Sequence, residues 1–401
     1  MISKTIDELQ KNIIKIAISE IFYNFGLIWA IYILFFRFLN YGFQEIGQFE
    51  AICSITIILT ELASGSLADI IGRRNTVILG NLSMLILALI LGLGNGGGLI
   101  LIMAGIFNGL DFSFRSGART ALLYDTLIGL NRKGDFLKVS GRIHAFTLIS
   151  KMIGMIIGSF LFLINPRIPY WIWSGFLIIS ILILFFIKEP KKTQYNLKIS
   201  ELWQNMKSGV QFIFKQKDIL WFTAFFLLAD IFAESYWDVY SQAHLINLGL
   251  STRWIGIIFA LLFGFSSISS YYIAEIEKRL GEKLILFLII GFQSILFILM
   301  AMTKNWYSLI IFLFFLIIIR NFSNLLEENY RNKLIPSSMR ASVLSASSFL
   351  KNGLFGGWII IWVFGLLIEL VGIKYVLLIS AGVILFFGLN MILLRKKICC
   401  N

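Results

Sequence analysis

Two apolar stretches of the sequence carry ionisable residues four positions apart, a spacing that places them on one face of a helix. They are Asp111, Arg115 and Arg119 in the first stretch, and Asp230, Glu234 and Asp238 in the second. A charged side chain at the centre of a membrane helix costs about 2.5–3.5 kcal/mol on insertion scales, so such residues usually face a cavity or a partner. For Asp111 and Arg115 the alternative is that they neutralise each other within the helix.

Four carboxylates in apolar sequence are candidates for proton coupling: Glu20, Asp111, Asp230 and Glu234. A carboxylate that is taken out of water can pick up a proton, and its neighbours decide when it does so. For Glu20 the alternative is a salt bridge near the inner end of its span.

Polar and aromatic side chains of the same stretches are candidates for binding a solute. They are Tyr23, Asn24, Arg115, Trp237, Asp238, Arg320, Asn321, Asn324 and Lys351. For the aromatic and amide residues the alternative is packing between helices. Of the two histidines, His144 is expected at a gate or a lipid headgroup, with a proton relay as the alternative, and His244 is expected near the outer surface, in water.

The composition indicates what kind of protein must position these residues. Of 401 residues 58% are hydrophobic and only 14% are charged, and the mean hydropathy is +0.85. Soluble domains carry about 25% charged residues, whereas about 20 consecutive apolar residues can span a bilayer as a helix. The scarcity of alternating polar and apolar segments argues against a transmembrane β-barrel. The sequence therefore predicts an all-α membrane protein with many spans.

Apolar runs predict twelve transmembrane helices in two six-helix bundles. The spans are expected near residues 16–36, 46–70, 76–94, 98–128, 139–163, 168–187, 219–247, 254–275, 284–303, 306–330, 341–369 and 375–394. The predicted organisation is an N-terminal bundle (1–187), a cytoplasmic loop with an amphipathic helix (188–218), and a C-terminal bundle with a short tail (219–401).

The net charge of +13 reflects topology, because most of the 35 Lys and Arg residues fall in alternate loops. This distribution follows the positive-inside rule and places both termini in the cytoplasm. We therefore expect a bacterial-type inner (plasma) membrane protein that does not bind nucleic acid. The start of the chain lacks a small-residue cleavage site, and the three cysteines form neither a disulfide framework nor a metal-binding pattern.

The two halves of the sequence resemble each other at an offset near 200 residues. LLYDTL at the end of the fourth span corresponds to LLEENY at the end of the tenth, and each is followed by a basic loop. Repeats of this kind are typical of transporters that rock about a central site. No phosphate-binding loop or metal-ligand cluster is present, so we expect neither an enzyme nor a cofactor.

The segment GSLADIIGRR, residues 65–74, resembles the loop 2–3 signature of the major facilitator superfamily (MFS) and lies between the second and third spans, as it does in that family. The resemblance implies the MFS fold and a conformational latch. The latch residues would be Glu61, Gly65, Asp69, Gly72, Arg73 and Asp125. In this reading Asp69 faces the N-terminus of span eleven, near Ser337, and Arg73 pairs with Asp125. The alternative is that Arg73 and Arg74 are only topology anchors.

These features together predict a secondary transporter that works by alternating access and is driven by a proton gradient. The first expectation is export of amphipathic drug-like molecules, because SGARTALLYDTL resembles a stretch of bacterial efflux-type members. Drug–proton antiporters of the family carry the motif G-x-x-x-G-P-x-x-G-G in span five. Here only its first two glycines, Gly154 and Gly158, are present, and the loss of the proline and the later glycines weakens that expectation. The alternatives are a symporter or facilitator for a polar nutrient, and a non-transporting membrane receptor or assembly partner. The expected partners are a small-molecule substrate, protons and the lipid bilayer, and a monomer is expected.

Overall fold

The computed structural model describes residues 2–189, 199–269, 279–335, 343 and 357–394. Every regular element in these ranges is helical. The first half contains α1 (Ile2–Tyr23), α2 (Tyr32–Phe38), α3 (Phe43–Ile71), α4 (Arg73–Leu93), α5 (Gly98–Gly129), α6 (Phe136–Ile164) and α7 (Ile168–Phe185), with a 3-10 turn at Lys133–Asp135.

The second half begins with α8 and includes a π-helical turn. Its elements are α8 (Ile199–Lys215), α9 (Lys217–Ser235), the π turn (Tyr236–Tyr240), α10 (Ser241–Asn247), α11 (Thr252–Ser269), α12 (Glu282–Met302), α13 (Trp306–Leu334), α14 (Gly357–Val371) and α15 (Ile373–Leu394).

Eight stretches within the described ranges are long and apolar enough to cross a membrane. They are α4, α5, α7, α12, α15, Lys133–Ile164, Lys217–Asn247 and Trp306–Glu327. Two shorter apolar helices, Thr252–Ser266 and Ile360–Val371, accompany them. These helices coincide with predicted spans, as the hydropathy of the sequence requires.

The chain divides into two compact units. Unit 1 comprises Met1–Asn40, Phe49–Trp203 and Arg253–Ala260, and unit 2 comprises Tyr41–Gln48, Gln204–Thr252 and Leu261–Asn401. In unit 1, α4 packs against α5 and α7, and α1 packs against α5, α6 and α7. In unit 2, α12 packs against α15 and α13, and α9 packs against α13 and α14.

The first predicted span, 16–36, is not one continuous helix. α1 begins at Ile2, ends at Tyr23, and is followed by turns until α2 begins at Tyr32. The Asn24 amide donates to the Glu20 carbonyl at 2.9 Å, a local bond that competes with helix continuation. A Cβ at Gly154 or Gly158 of α6 would collide with the backbone of Gly26 and Leu27. The surviving glycines of the span-five motif therefore let α6 pack directly on the break.

Side chains from two other elements cap the C-terminal end of α7, where helix carbonyls lack partners within the helix. Arg74 Nη1 donates to the Ile187 carbonyl at 3.0 Å, and Lys15 donates to the Phe186 carbonyl. Asn12 exchanges two hydrogen bonds with the backbone of Lys188, at 2.8 and 3.1 Å. The middle of α1 thus fastens the chain where the central loop begins.

Glu189, the next residue, caps the N-terminus of α4. Its carboxylate accepts the backbone N–H groups of Arg73 at 2.7 Å and of Arg74 at 3.1 Å. Gly72 precedes this helix with φ 99°, and a Cβ there would lie 2.9 Å from the Glu189 carboxyl carbon. Glycine is therefore needed at position 72 both for its backbone conformation and for the approach of Glu189. A carboxylate at this helix end also complements the helix dipole.

Replacement of Glu189 by glutamine should loosen the start of α4. A hydrogen bond to a charged group contributes about 1.5–3 kcal/mol, so we expect the amides of Arg73 and Arg74 to exchange hydrogen about tenfold faster. Glu8→Gln is the matched control, because Glu8 forms an exposed pair with Lys188 at 2.5 Å and exposed pairs contribute little. Equal exchange in the two variants would contradict a capping role for Glu189.

Candidate functional site

The charged face of α5 meets the last turn of α1 inside unit 1. Arg115 Nη2 lies 2.8 and 3.0 Å from the two carboxylate oxygens of Glu20. Arg119 Nη1 lies 3.3 Å from Glu20 Oε2, and the Asn24 amide donates to the same oxygen at 3.2 Å. The side chains of Arg115 and Glu20 are only 8% and 4% exposed. Glu20 therefore forms a buried salt bridge, which was the alternative to proton carriage that the sequence left open.

Two further helices, α4 and α7, complete the surroundings of Arg115. Its Nη1 donates to Asn81 Oδ1 on α4 at 2.9 Å, and the Asn81 amide donates to Ser180 Oγ on α7 at 2.9 Å. Ser180 is in turn hydrogen-bonded to Ser19 on α1. A Cβ at Gly80 would lie 2.5 Å from Arg115 Cγ, so this glycine makes room for the arginine. Sequence reasoning missed Asn81, although an amide within an apolar span is a detectable signal.

Asp111 lies at the other end of the same face, and within the described residues it forms no direct ion pair with Arg115, which pairs with Glu20 instead. Tyr23 donates its hydroxyl hydrogen to Asp111 Oδ2 at 2.6 Å, and the Arg115 guanidinium lies over the Tyr23 ring, 3.0 Å from its centroid. Asp111 is 4% exposed, and its Oδ1 has no hydrogen-bond partner among the residues that the structure describes. A buried ionised carboxylate with an unpaired oxygen is costly, and protonation removes the charge. Asp111 is thus a chemically suitable place to bind and release a proton.

Phe112 is exposed beside Asp111, but the exposed side of α5 becomes polar from the next turn onwards. Ser116, Gly117, Arg119 and Thr120 are all exposed, and the side chain of Arg119 is 45% exposed. A lipid-facing helix surface would be apolar, because polar groups in hydrocarbon are costly. The composition of this strip is therefore that of a surface in contact with water. Arg115, in contrast, is enclosed, so Arg119 is the arginine of this face that is open to solvent.

In unit 2 the π turn carries part of a second charged cluster. Arg320 on α13 lies 3.1 Å from Asp238 Oδ2 and 3.2 Å from Glu234 Oε1. The side chain of Arg320 is 17% exposed, whereas those of Glu234 and Asp238 are 43% and 42% exposed. Asp230, one turn before Glu234, is buried. π turns occur frequently at functional sites because they re-aim side chains within a helix.

The ends of the π turn are fastened by two tyrosines. Tyr236 forms a 2.6 Å hydrogen bond with His244 Nδ1, and Tyr240 donates to the carbonyl of Ile361 at 2.7 Å. The expectation that His244 is solvated is wrong, because its ring is buried against Tyr236. The sequence placed His244 near the end of a span, but it could not show that the tyrosine eight residues earlier would cover it.

The segment resembling the family latch is only partly described. Arg73 Nε lies 3.8 Å from Asp125 Oδ2, so the two residues that the resemblance pairs do lie together. Glu61 is half-buried on α3. The side chain of Asp69 and residue Ser337 lie outside the described part, as do the surroundings of Gly65. The latch role of this segment stays a prediction.

The remaining solute-binding candidates lie in different surroundings and do not form one site with those above in the described part of the chain. Trp237 is buried, and the Asn321 amide donates to the carbonyl of Ser266 at 3.1 Å, which is a packing contact. Asn324 is exposed on α13, and Lys351 lies outside the described residues. Within the described ranges, no group of three or more His, Cys, Asp or Glu side chains could hold a metal ion.

The helical architecture and the loop signature can be compared with known proteins. The family model of the Major Facilitator Superfamily matches residues 16–352. The chain is a member of this superfamily. An uncharacterized MFS-type transporter of Bacillus subtilis (strain 168), YxaM, is 25% identical to it over 348 residues, which is 82% of this chain and 84% of that protein.

Two solved structures have the same fold as this MFS protein. The crystal structure of a mutant of the nucleoside transporter NupG superimposes with a TM-score of 0.81 at 16% identity. The crystal structure titled simply as the nucleoside transporter NupG gives a TM-score of 0.80 at 18% identity. Each comparison covers 97% of this chain and 100% of the other. The predicted MFS fold is confirmed, and the protein is a multi-pass membrane transporter and not an enzyme.

Replacement of Glu20 by glutamine should strongly destabilise this MFS protein. Breaking a buried ion pair by removing one partner costs about 3–5 kcal/mol, because the remaining charge is left unpaired. We expect a large drop in the free energy of unfolding, measured by denaturant titration in detergent. The double variant Glu20→Gln/Arg115→Gln should recover part of the loss. The control is Asp135→Asn, which breaks an exposed pair with Arg132. A loss for Glu20→Gln no larger than that of the control would contradict a structural role for the pair.

Proposed function

We propose that this transporter is a proton-coupled symporter that imports a small polar solute across a bacterial plasma membrane, with both termini in the cytoplasm. The observation that carries the proposal is Asp111, a buried carboxylate in span four with one oxygen unpaired and the other held by Tyr23. A transporter that uses a proton gradient needs such a group, which can be charged or neutral within a dry protein interior.

The exposed surface of α5 favours a polar solute. Ser116, Arg119 and Thr120 offer hydrogen-bonding groups on the same helix as Asp111. The titles of the two similar structures name a nucleoside transporter, and nucleosides are small polar solutes. Because the proton site and the polar strip belong to one helix of one unit, we infer that the proton and the solute cross the membrane together. In symport the inward proton gradient then drives import.

Export of an amphipathic drug-like molecule is the second candidate, favoured by the resemblance of SGARTALLYDTL to efflux-type members. It has less support than import. Many exported drugs are hydrophobic cations, and the open charged group on α5 is the guanidinium of Arg119, which repels cations.

The test is proton flux in proteoliposomes that contain a pH dye. We expect a polar solute from a panel of sugars, nucleosides and amino acids to acidify the interior as it enters. In Asp111→Asn the solute should still exchange across the membrane by counterflow, but accumulation driven by a pH gradient should fall at least about tenfold, because position 111 can no longer gain and lose a proton.

Asp7→Asn, at an exposed position of α1, is the matched control and should behave as the wild type. Proton release from the vesicles evoked only by hydrophobic cations would instead support export. An unchanged pH dependence of transport in Asp111→Asn would contradict the assignment of the proton site.

A further inference from the structure

Arg119 differs from the other charged groups of unit 1 in how little of its hydrogen-bonding capacity the protein uses. A guanidinium has five N–H donors. Within the described ranges Arg119 makes one polar contact, from Nη1 to Glu20 Oε2 at 3.3 Å, and 45% of its side chain is exposed. Arg115 makes shorter bonds to the same carboxylate and is buried. Glu20 is therefore the counter-ion of Arg115 first, and most of the Arg119 donors are left without a partner among the described residues.

The charges of this cluster balance only when Asp111 is ionised. Glu20 and Asp111 supply two negative charges, and Arg115 and Arg119 supply two positive charges. Binding of a proton to Asp111 leaves one positive charge in excess, and the open guanidinium of Arg119 is the place where an external anion can reach it. An uncompensated charge within the membrane is costly. The proton-loaded state is therefore completed by one negative charge from outside the protein.

We propose that the imported solute is an organic anion whose carboxylate binds Arg119 while a proton is carried on Asp111. This inference rests on the proposed function and specifies the substrate class. The guanidinium is planar and matches a carboxylate with two parallel hydrogen bonds, so arginine suits this task better than lysine. The polar strip of Ser116 and Thr120 beside Arg119 can bind hydroxyl groups of the same solute.

The proposed transport cycle needs no reactant other than the proton and the organic anion. A proton from water outside the cell forms an O–H bond with the Asp111 carboxylate, and the solute carboxylate docks on Arg119. On the inner side the proton returns to water and the anion leaves. One proton and one monoanion move together, so the cycle transfers no net charge. The ionisable groups around Asp111 are Tyr23 and Glu20 on α1, Cys53 on α3 and Arg115 on α5.

Two pairs of solutes, each an acid and its neutral partner, test whether the carboxylate is recognised. Glucuronate has a carboxylate where glucose has a hydroxymethyl group, and orotidine has a carboxylate where uridine has a ring hydrogen. In proteoliposomes with an inward proton gradient, we expect the wild type to take up at least one of the two acids at least about tenfold faster than its neutral partner. Clamping the membrane potential with potassium and valinomycin should change the rate of acid uptake by less than about twofold, because the cycle is electroneutral.

Variants at position 119 test the binding role. Arg119→Gln should raise the KM for the transported acid at least about tenfold, and by a clearly larger factor than it raises the KM for the neutral partner, because only the acid loses a charged contact. Arg119→Lys, which keeps the charge but not the planar donor pair, should give an intermediate KM. The control Arg132→Gln removes an exposed arginine that pairs with Asp135 outside the spans, and it should match the wild type.

The outcomes separate this inference from the proposed function. Proton-coupled uptake of glucose or uridine with no preference for the acids overturns the inference and leaves proton-coupled import standing. Proton flux evoked only by hydrophobic cations overturns both. Absence of uptake of both acids, or an equal loss of acid and neutral uptake in Arg119→Gln, also overturns the inference.

Discussion

The ion pair between Glu20 and Arg115 is the interaction on which unit 1 depends. Removing two charges from water is costly, so a buried pair is tolerated only where its geometry is good and its remaining donors and acceptors are satisfied. Here Asn81 on α4 takes a second N–H of Arg115 and passes the network on to Ser180 on α7. The absent side chain at Gly80 gives Arg115 its space. Satisfying one pair thus fixes α1, α4, α5 and α7 relative to one another.

The Glu20–Arg115 pair also determines which partners remain for the other two charged residues of the cluster, Asp111 and Arg119. Because Arg115 is committed to Glu20 and lies over the Tyr23 ring, Asp111 keeps only the Tyr23 hydroxyl as a partner. Because Glu20 is committed to Arg115, Arg119 is held only loosely. The proposed proton site at Asp111 and the exposed guanidinium of Arg119 therefore both follow from the Glu20–Arg115 pair, and they lie on one helix.

The helical fold and the charged face of α5 could be predicted from the sequence. The contacts between helices could not, for a physical reason. The four-residue spacing placed Asp111, Arg115 and Arg119 on one face, since that depends on the helix alone. Spacing could not show which neighbour each would meet, because this depends on how α1 packs on α5. The break after Tyr23 and the cap from Glu189 were missed for the same reason. Glu189 lies more than a hundred residues from the helix that it caps, and no local pattern links the two.

Unit 2 places its charges differently, and the difference bears on what each unit can do. Arg320 is shared by Glu234 and Asp238, both of which are nearly half exposed. Exposed pairs contribute little stability, so they can exchange a partner at small cost. The buried pair of unit 1 cannot do so without stranding a charge. Glu234 and Asp238 are therefore suited to exchanging their contact with Arg320 for one with solvent or a solute. Asp111, enclosed and short of one partner, is better suited to changing its charge.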